Sequence, residues 1–171
     1  RISEAINLER EKLEEIRGKA DKIIDTTELG PKELRKDVKE KFVKEENQEQ
    51  LTVSILSFGF KYGVPADADL MFDVRFLPNP HYVDSLRPLT GDDPRVQEYV
   101  LKWPITQNFK KKLFDLIEFT LPQYIKEGKT HLTIAIGCTG GKHRSVTLAN
   151  KLYEELDGDY NLLIEHRDSD K

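Results

Sequence analysis

The chain of 171 residues contains one cysteine, so it cannot form an internal disulfide. A single thiol is typical of proteins from a reducing cytosol. The sequence also lacks an apolar run of the roughly 18 residues that a membrane helix needs. Its start, RISEAINLEREKL, lacks the basic-then-apolar order of a secretory signal. We therefore expect a soluble cytoplasmic protein with no membrane partner.

Positive charge is not in excess either, because the net charge is -4 and the isoelectric point is near 5.7. The overall field would repel nucleic acid, so any RNA contact would need a local basic patch. Hydrophobic residues make up 37% of the chain, enough for one packed domain with a smaller appendage.

The first 46 residues carry few apolar side chains. Their spacing predicts an amphipathic helix over residues 1–17 and a second helix from Pro31, with a short buried strand at Ile23 and Ile24 between them. So few apolar residues cannot form a core of their own. We expect residues 1–46 to be the end of a larger domain whose remainder lies upstream.

From Leu51 the composition changes, after a charged segment whose residues 47–50 predict a linker. In residues 51–171, strand-like segments containing LTVSIL, LMFDVRFL, HLTIAIG and YNLLIEHR alternate with the helical patterns NFKKKLFDLIEFTLPQYIKEG and SVTLANKLYEEL. Pro122 predicts a kink or an early end in the first helix. The alternation favours an α/β fold, with a mostly parallel sheet and helices on both faces.

The stretch CTGGKHRS, residues 138–145, follows a predicted strand and precedes a predicted helix. Gly140 and Gly141 allow the backbone to turn inward, and the helix start offers unpaired N–H groups. Further donors come from a basic triplet and two hydroxyls: Lys142, His143, Arg144, Thr139 and Ser145. Together these features favour binding of an anion of phosphate size. The alternative is an ordinary strand-to-helix turn with solvated basic residues.

This stretch is not a Walker A loop, because Ile136 stands where its first glycine should be and His143 follows the lysine. The spacing from Cys138 to Arg144 does match the Cys-x5-Arg loop of cysteine-dependent phosphatases, with the thiolate as nucleophile. Against that hypothesis, Gly137 precedes the cysteine where those enzymes usually have histidine. A small buried thiol is the commoner role of a lone cysteine.

A zinc site is not predicted, because the candidate ligands Cys138, His143, His81 and His166 show no ligand-pair spacing.

The segment LMFDVRFL and the long proline-rich loop after it are expected to reach the same rim. Asp73 and Arg75 form a charged pair on an otherwise apolar strand and need partners. Asp73 could orient an amine or a hydroxyl of the ligand. His81 or Arg87 could bind its phosphate, although a plain surface loop is the alternative for both.

Three motifs strongly resemble the carboxy-terminal domain of the RapZ/YvcJ family of nucleotide-binding proteins: SFGFKYGVPADADLMFDVRFLPNPH, RPLTG and IAIGCTGGKHRS. Residues 1–46, with AINLEREKLEEIRGKADKIIDTT, resemble the end of that family's P-loop domain. The resemblance implies that the Walker A motif, and with it ATP or GTP binding or hydrolysis, belongs upstream of Arg1. Residues 51–171 would then hold no cofactor and would act as a sensor, not an enzyme.

The resemblance also implies a fold similar to part of the phosphofructokinase-type sugar-phosphate kinases. In the enterobacterial branch such proteins sense glucosamine-6-phosphate, self-associate, and deliver a small regulatory RNA to an endoribonuclease. Carried over by motif, the ligand-binding residues here would be Asp73, Arg75, His81, Arg87, Cys138, Thr139, Gly140, Gly141, His143 and Arg144.

Two positions depart from the enterobacterial pattern. The chain ends EHRDSDK, where acidic residues offset Arg167 and Lys171, so we expect RNA binding to be weak. Lys102 in VLKWPITQNF stands where that branch would have arginine, so a bidentate contact becomes a point charge. The sequence is more similar to the Gram-positive-type branch. The leading expectation is a sensor of an amino-sugar phosphate, with a cysteine phosphatase and an RNA adapter as alternatives.

Overall fold

The computed structural model describes residues 2–42, 50–158 and 160–171. The chain divides into two compact units, Arg1–Gln48 and Glu49–Lys171, called here the N-terminal and the C-terminal unit. The predicted linker, 47–50, lies outside the described residues apart from its last position.

The N-terminal unit contains the two predicted helices, α1 (Ile2–Lys19) and α2 (Pro31–Phe42). The predicted strand at Ile23 and Ile24 is wrong, because both residues lie in irregular chain and Ile23 is 56% exposed. Two apolar residues form a strand only where a neighbouring strand takes their backbone hydrogen bonds, and residues 2–42 contain no strand. None of the side chains described in this unit is buried, in agreement with the expectation that it lacks its own core.

A four-stranded sheet organises the C-terminal unit. Its strands are β1 (Thr52–Gly59), β2 (Leu70–Asp73), β3 (His131–Cys138) and β4 (Asn161–His166). Their order is β2-β3-β1-β4, and every pairing is parallel. The predicted α/β fold with a parallel sheet is therefore confirmed. β2 is shorter than predicted and ends at Asp73, so Arg75 lies beyond the strand.

The α-helices described in this unit are α3 (Pro94–Leu101), α4 (Pro104–Glu127) and α5 (Arg144–Glu155), and short 3-10 helices span Phe60–Tyr62 and Pro80–Tyr82. The sequence patterns indicate α4 and α5 but miss α3, which begins at an Asp-Pro pair. There the Asp93 carboxylate accepts a hydrogen bond from the N–H of Arg95 and caps the helix. α4 does not end early at Pro122, but runs on to Glu127 and stops at Gly128 in the left-handed conformation.

The core lies between the sheet and α5, which packs against β1, β3 and β4. Ile55 and its register partner Ile134 belong to one apolar cluster with Leu152 of α5, and each is at most 1% exposed. On the opposite face Met71 and Leu163 are 41% and 51% exposed. The carboxyl ends of the central strands β1 and β3 thus rest on a packed helix, and that end of the sheet carries the candidate site.

Candidate functional site

The loop 138–144 connects the end of β3 to the start of α5. It turns at Gly141, whose φ of +75° lies in the left-handed region that other residues rarely adopt. A Cβ on Gly141 would lie 2.7 Å from the nitrogen of Gly59, and a Cβ on Gly59 would lie 2.6 Å from the carbonyl carbon of Gly140. The glycines therefore let the loop lie directly against the end of β1.

The motif RPLTG packs against the same loop. The N–H of Gly91 donates to the carbonyl of Lys142 at 2.8 Å, and a Cβ on Gly91 would come within 2.3 Å of the loop backbone. Arg87 is held nearby, since its Nε donates to the carbonyl of His81 at 2.9 Å and its guanidinium pairs with Asp84 at 2.8 Å. The long proline-rich loop is thus fixed to the 138–144 loop.

The C-terminal segment is fastened to the end of β1 by the buried carboxylate of Asp168. It accepts hydrogen bonds from the N–H of Gly59 at 2.8 Å, from Arg167 at 2.7 Å and from Lys171 at 2.6 Å. Burial would raise the pKa of Asp168, but these donors hold that pKa at about 2. Asp168 therefore stays ionised at neutral pH and keeps Lys171 close to the loop.

A cavity of about 440 Å³ opens over the loop, within the range of about 300–1,000 Å³ of small-molecule sites. Its lining includes five permanent cations and two histidines, but no carboxylate. The lining residues are Lys61, Asn79, His81, Tyr82, Arg87, Cys138, Thr139, Gly140, Lys142, His143, Arg144 and Lys171. Such a lining favours an anionic ligand.

Arg144, the first residue of α5, is 4% exposed. Its Nη1 donates to the carbonyls of Arg75 and Leu77 at 2.5 and 3.1 Å, and its Nη2 donates to the hydroxyl of Thr139 at 3.3 Å. Its Nε has no hydrogen-bond partner among the described residues. Burial lowers the pKa of Arg144, although a guanidinium still remains charged. A buried cation with a free donor and only neutral hydrogen-bond acceptors is unfavourable until an anion joins it.

His143 precedes α5 and is 6% exposed, and its Nε2 likewise lacks a partner in the described structure. Burial lowers the pKa of His143, and the nearby charge of Lys142 lowers it further. Hydrogen bonds to the carbonyls of Leu89 and Arg87 act in the opposite direction but do not cancel the effect of burial. The imidazole is therefore neutral at pH 7 and gains a proton more readily once an anion is bound.

Cys138 is buried, and its Sγ lies 3.1 Å from the hydroxyl of Ser145. This geometry does not favour the phosphatase hypothesis. It fits a small buried thiol at a strand end.

Asp73 and Arg75 do not line the cavity. They bind each other, because Nε and Nη2 of Arg75 donate to the Asp73 carboxylate at 2.9 and 2.6 Å. The bonds from Arg75, together with the charge of Arg144, lower the pKa of Asp73. The guanidinium of Arg75 also lies 4.1 Å from the centre of the Phe60 ring. The structure thus gives the two residues a contact with each other, and their role in ligand binding stays a prediction.

Seven of the ten residues implied by the resemblance line the cavity: His81, Arg87, Cys138, Thr139, Gly140, His143 and Arg144. Gly141 supports the turn without lining the cavity. The lining residues that sequence reasoning missed are Lys61, Asn79, Tyr82 and Lys171. Asn79 and Tyr82 flank His81 in the proline-rich loop, so the motif PNPHY carried a signal for them.

In the described ranges no group of three or more metal-ligating side chains converges. His166, one of the four candidate zinc ligands, instead has its two ring nitrogens at 2.9 Å from Ser57 and 3.0 Å from Asn150. No helix in the part of the chain that the structure describes is long and apolar enough to cross a membrane.

Comparison with known proteins gives matches along almost the whole chain. A family model of the RapZ C-terminal domain matches residues 51–170, and one of the RapZ-like N-terminal domain matches residues 1–46. A nucleotide-binding protein of Caldicellulosiruptor bescii is 57% identical over 99% of this chain and 59% of its own length. Another, from Halothermothrix orenii, is 55% identical over all of this chain and 61% of its own length. The chain thus spans about three fifths of the length of these curated relatives.

Proposed function

The chain belongs to the RapZ family of nucleotide-binding proteins, and on that premise we propose that its C-terminal unit senses a phosphorylated small metabolite bound over the 138–144 loop. The observation that carries this proposal is the buried Arg144, whose Nε lacks a partner among the described residues in a cavity lined by cations and no carboxylate. A phosphate group there would accept hydrogen bonds from Arg144, Lys142 and the start of α5.

The family resemblance makes glucosamine-6-phosphate the first ligand to test. The cations of the cavity would bind the phosphate of this ligand, but its amine would need a carboxylate. Asp73 is the candidate, because it lies close enough to Arg144 for their charges to interact. Asp73 can serve only if Arg75 releases it. We therefore propose Asp73 as the residue that decides whether the amino sugar is preferred.

Ligand occupancy would be relayed to a protein partner or to a second copy of the chain. The RPLTG motif contacts the loop, and the C-terminal segment holds the end of β1 on which the loop lies, so both can transmit a change. RNA is a weaker partner, because acidic residues offset the basic ones in the tail EHRDSDK. A gel shift at low salt that matches an acidic control protein would remove RNA from consideration.

We assign ATP or GTP binding to the P-loop domain whose end residues 1–46 resemble, because the sequence printed here has no Walker A pattern. Residues 51–171 then need no cofactor for sensing.

The test is calorimetry of the full chain with glucosamine-6-phosphate, glucose-6-phosphate and inorganic phosphate. Lys142→Gln should weaken all three ligands by roughly 10- to 100-fold, because a charge-assisted hydrogen bond contributes about 1.5–3 kcal/mol. Lys111→Gln removes the same charge from the exposed side of α4 and serves as the matched control.

If Asp73 recognises the amine, Asp73→Asn should lower the affinity for glucosamine-6-phosphate and leave the affinities for the other two ligands unchanged. Unchanged affinity in Lys142→Gln, or an equal loss in Lys111→Gln, would refute the loop as the binding site.

A further inference from the structure

We propose that Lys61 and Lys171 form a second anion subsite in the same cavity. The cavity would then bind a small ligand with two anionic groups, one of them a phosphate at the 138–144 loop, more tightly than a ligand with that phosphate alone. This inference rests on the proposed function of that loop and extends it to the class of ligand.

Both lysines line the cavity beside the loop. The Nζ of Lys61 and the Nζ of Lys171 lie 4.5 Å and 4.9 Å from the centre of the same ring, that of Tyr62. The Nζ of Lys61 also lies 3.8 Å from the position that a Cβ on Gly140 would occupy, so it borders the loop itself. Neither lysine belongs to the motif that supplies the phosphate contacts.

The buried Asp168 holds this arrangement together. One oxygen accepts from the N–H of Gly59, two residues before Lys61, and the other accepts from Lys171. Arg167 adds a hydrogen bond to the carbonyl of Gly63 at 2.6 Å. Because both segments are fixed to each other, less freedom is lost when an anion binds between their lysines.

The positive charge in the cavity exceeds what one phosphate neutralises. Among the described residues, Lys61, Lys142 and Arg144 have no carboxylate within salt-bridge distance, whereas the other two lining cations each pair with an aspartate. A phosphate monoester carries about -1.5 to -2 charge at pH 7. A second anionic group would neutralise the remainder, and Lys61 and Lys171 are placed to receive it.

The experiment compares glucose-1,6-bisphosphate with glucose-6-phosphate by calorimetry on the full chain. We expect the bisphosphate to bind at least about tenfold more tightly. The double variant Lys61→Gln/Lys171→Gln should abolish that advantage, so that the ratio of the two affinities falls to about one. The control Lys111→Gln/Lys112→Gln, on the exposed side of α4, should retain the advantage.

Three results would overturn the second subsite. The wild type could bind the two sugars with equal affinity, the double variant could retain the advantage of the bisphosphate, or the control variant could lose that advantage as well. Each of these results leaves the phosphate site at the loop standing. If neither of these sugars nor glucosamine-6-phosphate binds, the proposed function itself fails, and the second subsite fails with it.

Discussion

Replacement of Asp168 by asparagine should destabilise the C-terminal unit, because this buried carboxylate joins the C-terminal segment to the end of β1. It accepts hydrogen bonds from Gly59, Arg167 and Lys171. An asparagine of the same shape would turn an NH₂ group toward at least one of these donors. The variant therefore loses charge-assisted bonds and leaves a buried donor unpaired.

The size of the effect follows from the pKa of Asp168, which the folded structure lowers from 3.8 to about 2. A difference of that size corresponds to about 2 kcal/mol in the free energy of unfolding. Because the folded-state pKa is the lower one, this contribution is complete above the pKa of the unfolded chain. It is lost as the pH falls from about 4 to about 2.

Urea unfolding of the wild type and of Asp168→Asn, followed over that pH range, measures the effect directly. The two free energies should differ by about 2 kcal/mol at pH 7 and converge toward about pH 2. Asp115→Asn removes an exposed carboxylate from α4 and controls for the change of charge. A difference below about 0.5 kcal/mol at pH 7, or one that stays constant down to low pH, would refute the role given to Asp168.

Two further predictions concern the loop. Gly141→Ala should lower the free energy of unfolding by about 1–3 kcal/mol, because of its positive φ and the 2.7 Å approach to Gly59. Gly140→Ala should change the free energy of unfolding by less than about 0.5 kcal/mol, because its Cβ would meet only the side chain of Lys61 at 3.7 Å. Equal losses of stability in the two variants, measured by thermal unfolding, would contradict this. Since burial lowers the pKa of His143, anion binding should be accompanied by proton uptake and should strengthen as the pH falls below neutrality. Calorimetry with sulfate in buffers of different ionisation enthalpy measures that uptake. If no proton is taken up, or if the uptake persists in His143→Gln, His143 is not the group that gains the proton.

The central feature of the site could be predicted from the sequence because its signals are local. The apolar run of β3, the two glycines and the basic triplet follow one another directly, so their order alone places a cationic turn at the start of a helix. Gly91 in RPLTG carried no such signal, since its role depends on a backbone approach of 2.3 Å to the same loop.

The parts of the site that the sequence does not reveal depend on contacts between segments that are distant in the chain. Lys171 reaches the cavity because Asp168 binds the N–H of Gly59, 109 residues away, and no local pattern encodes that bond. A charged pair on an apolar strand needs partners, and the sequence does not say whether Asp73 and Arg75 find them in a ligand or in each other. Their own bidentate bond satisfies that need once β2 ends at Asp73.

The most direct test of the phosphate site follows the side chains of Arg144 and His143 by NMR while glucosamine-6-phosphate is added to the full chain. We predict that the Nε–H signal of Arg144 and the ring signals of His143 shift and saturate together, because the Nε of Arg144 and the Nε2 of His143 are buried nitrogens without hydrogen-bond partners in the described structure. Saturable binding that leaves both side chains unchanged, or no binding at millimolar ligand, would contradict the account.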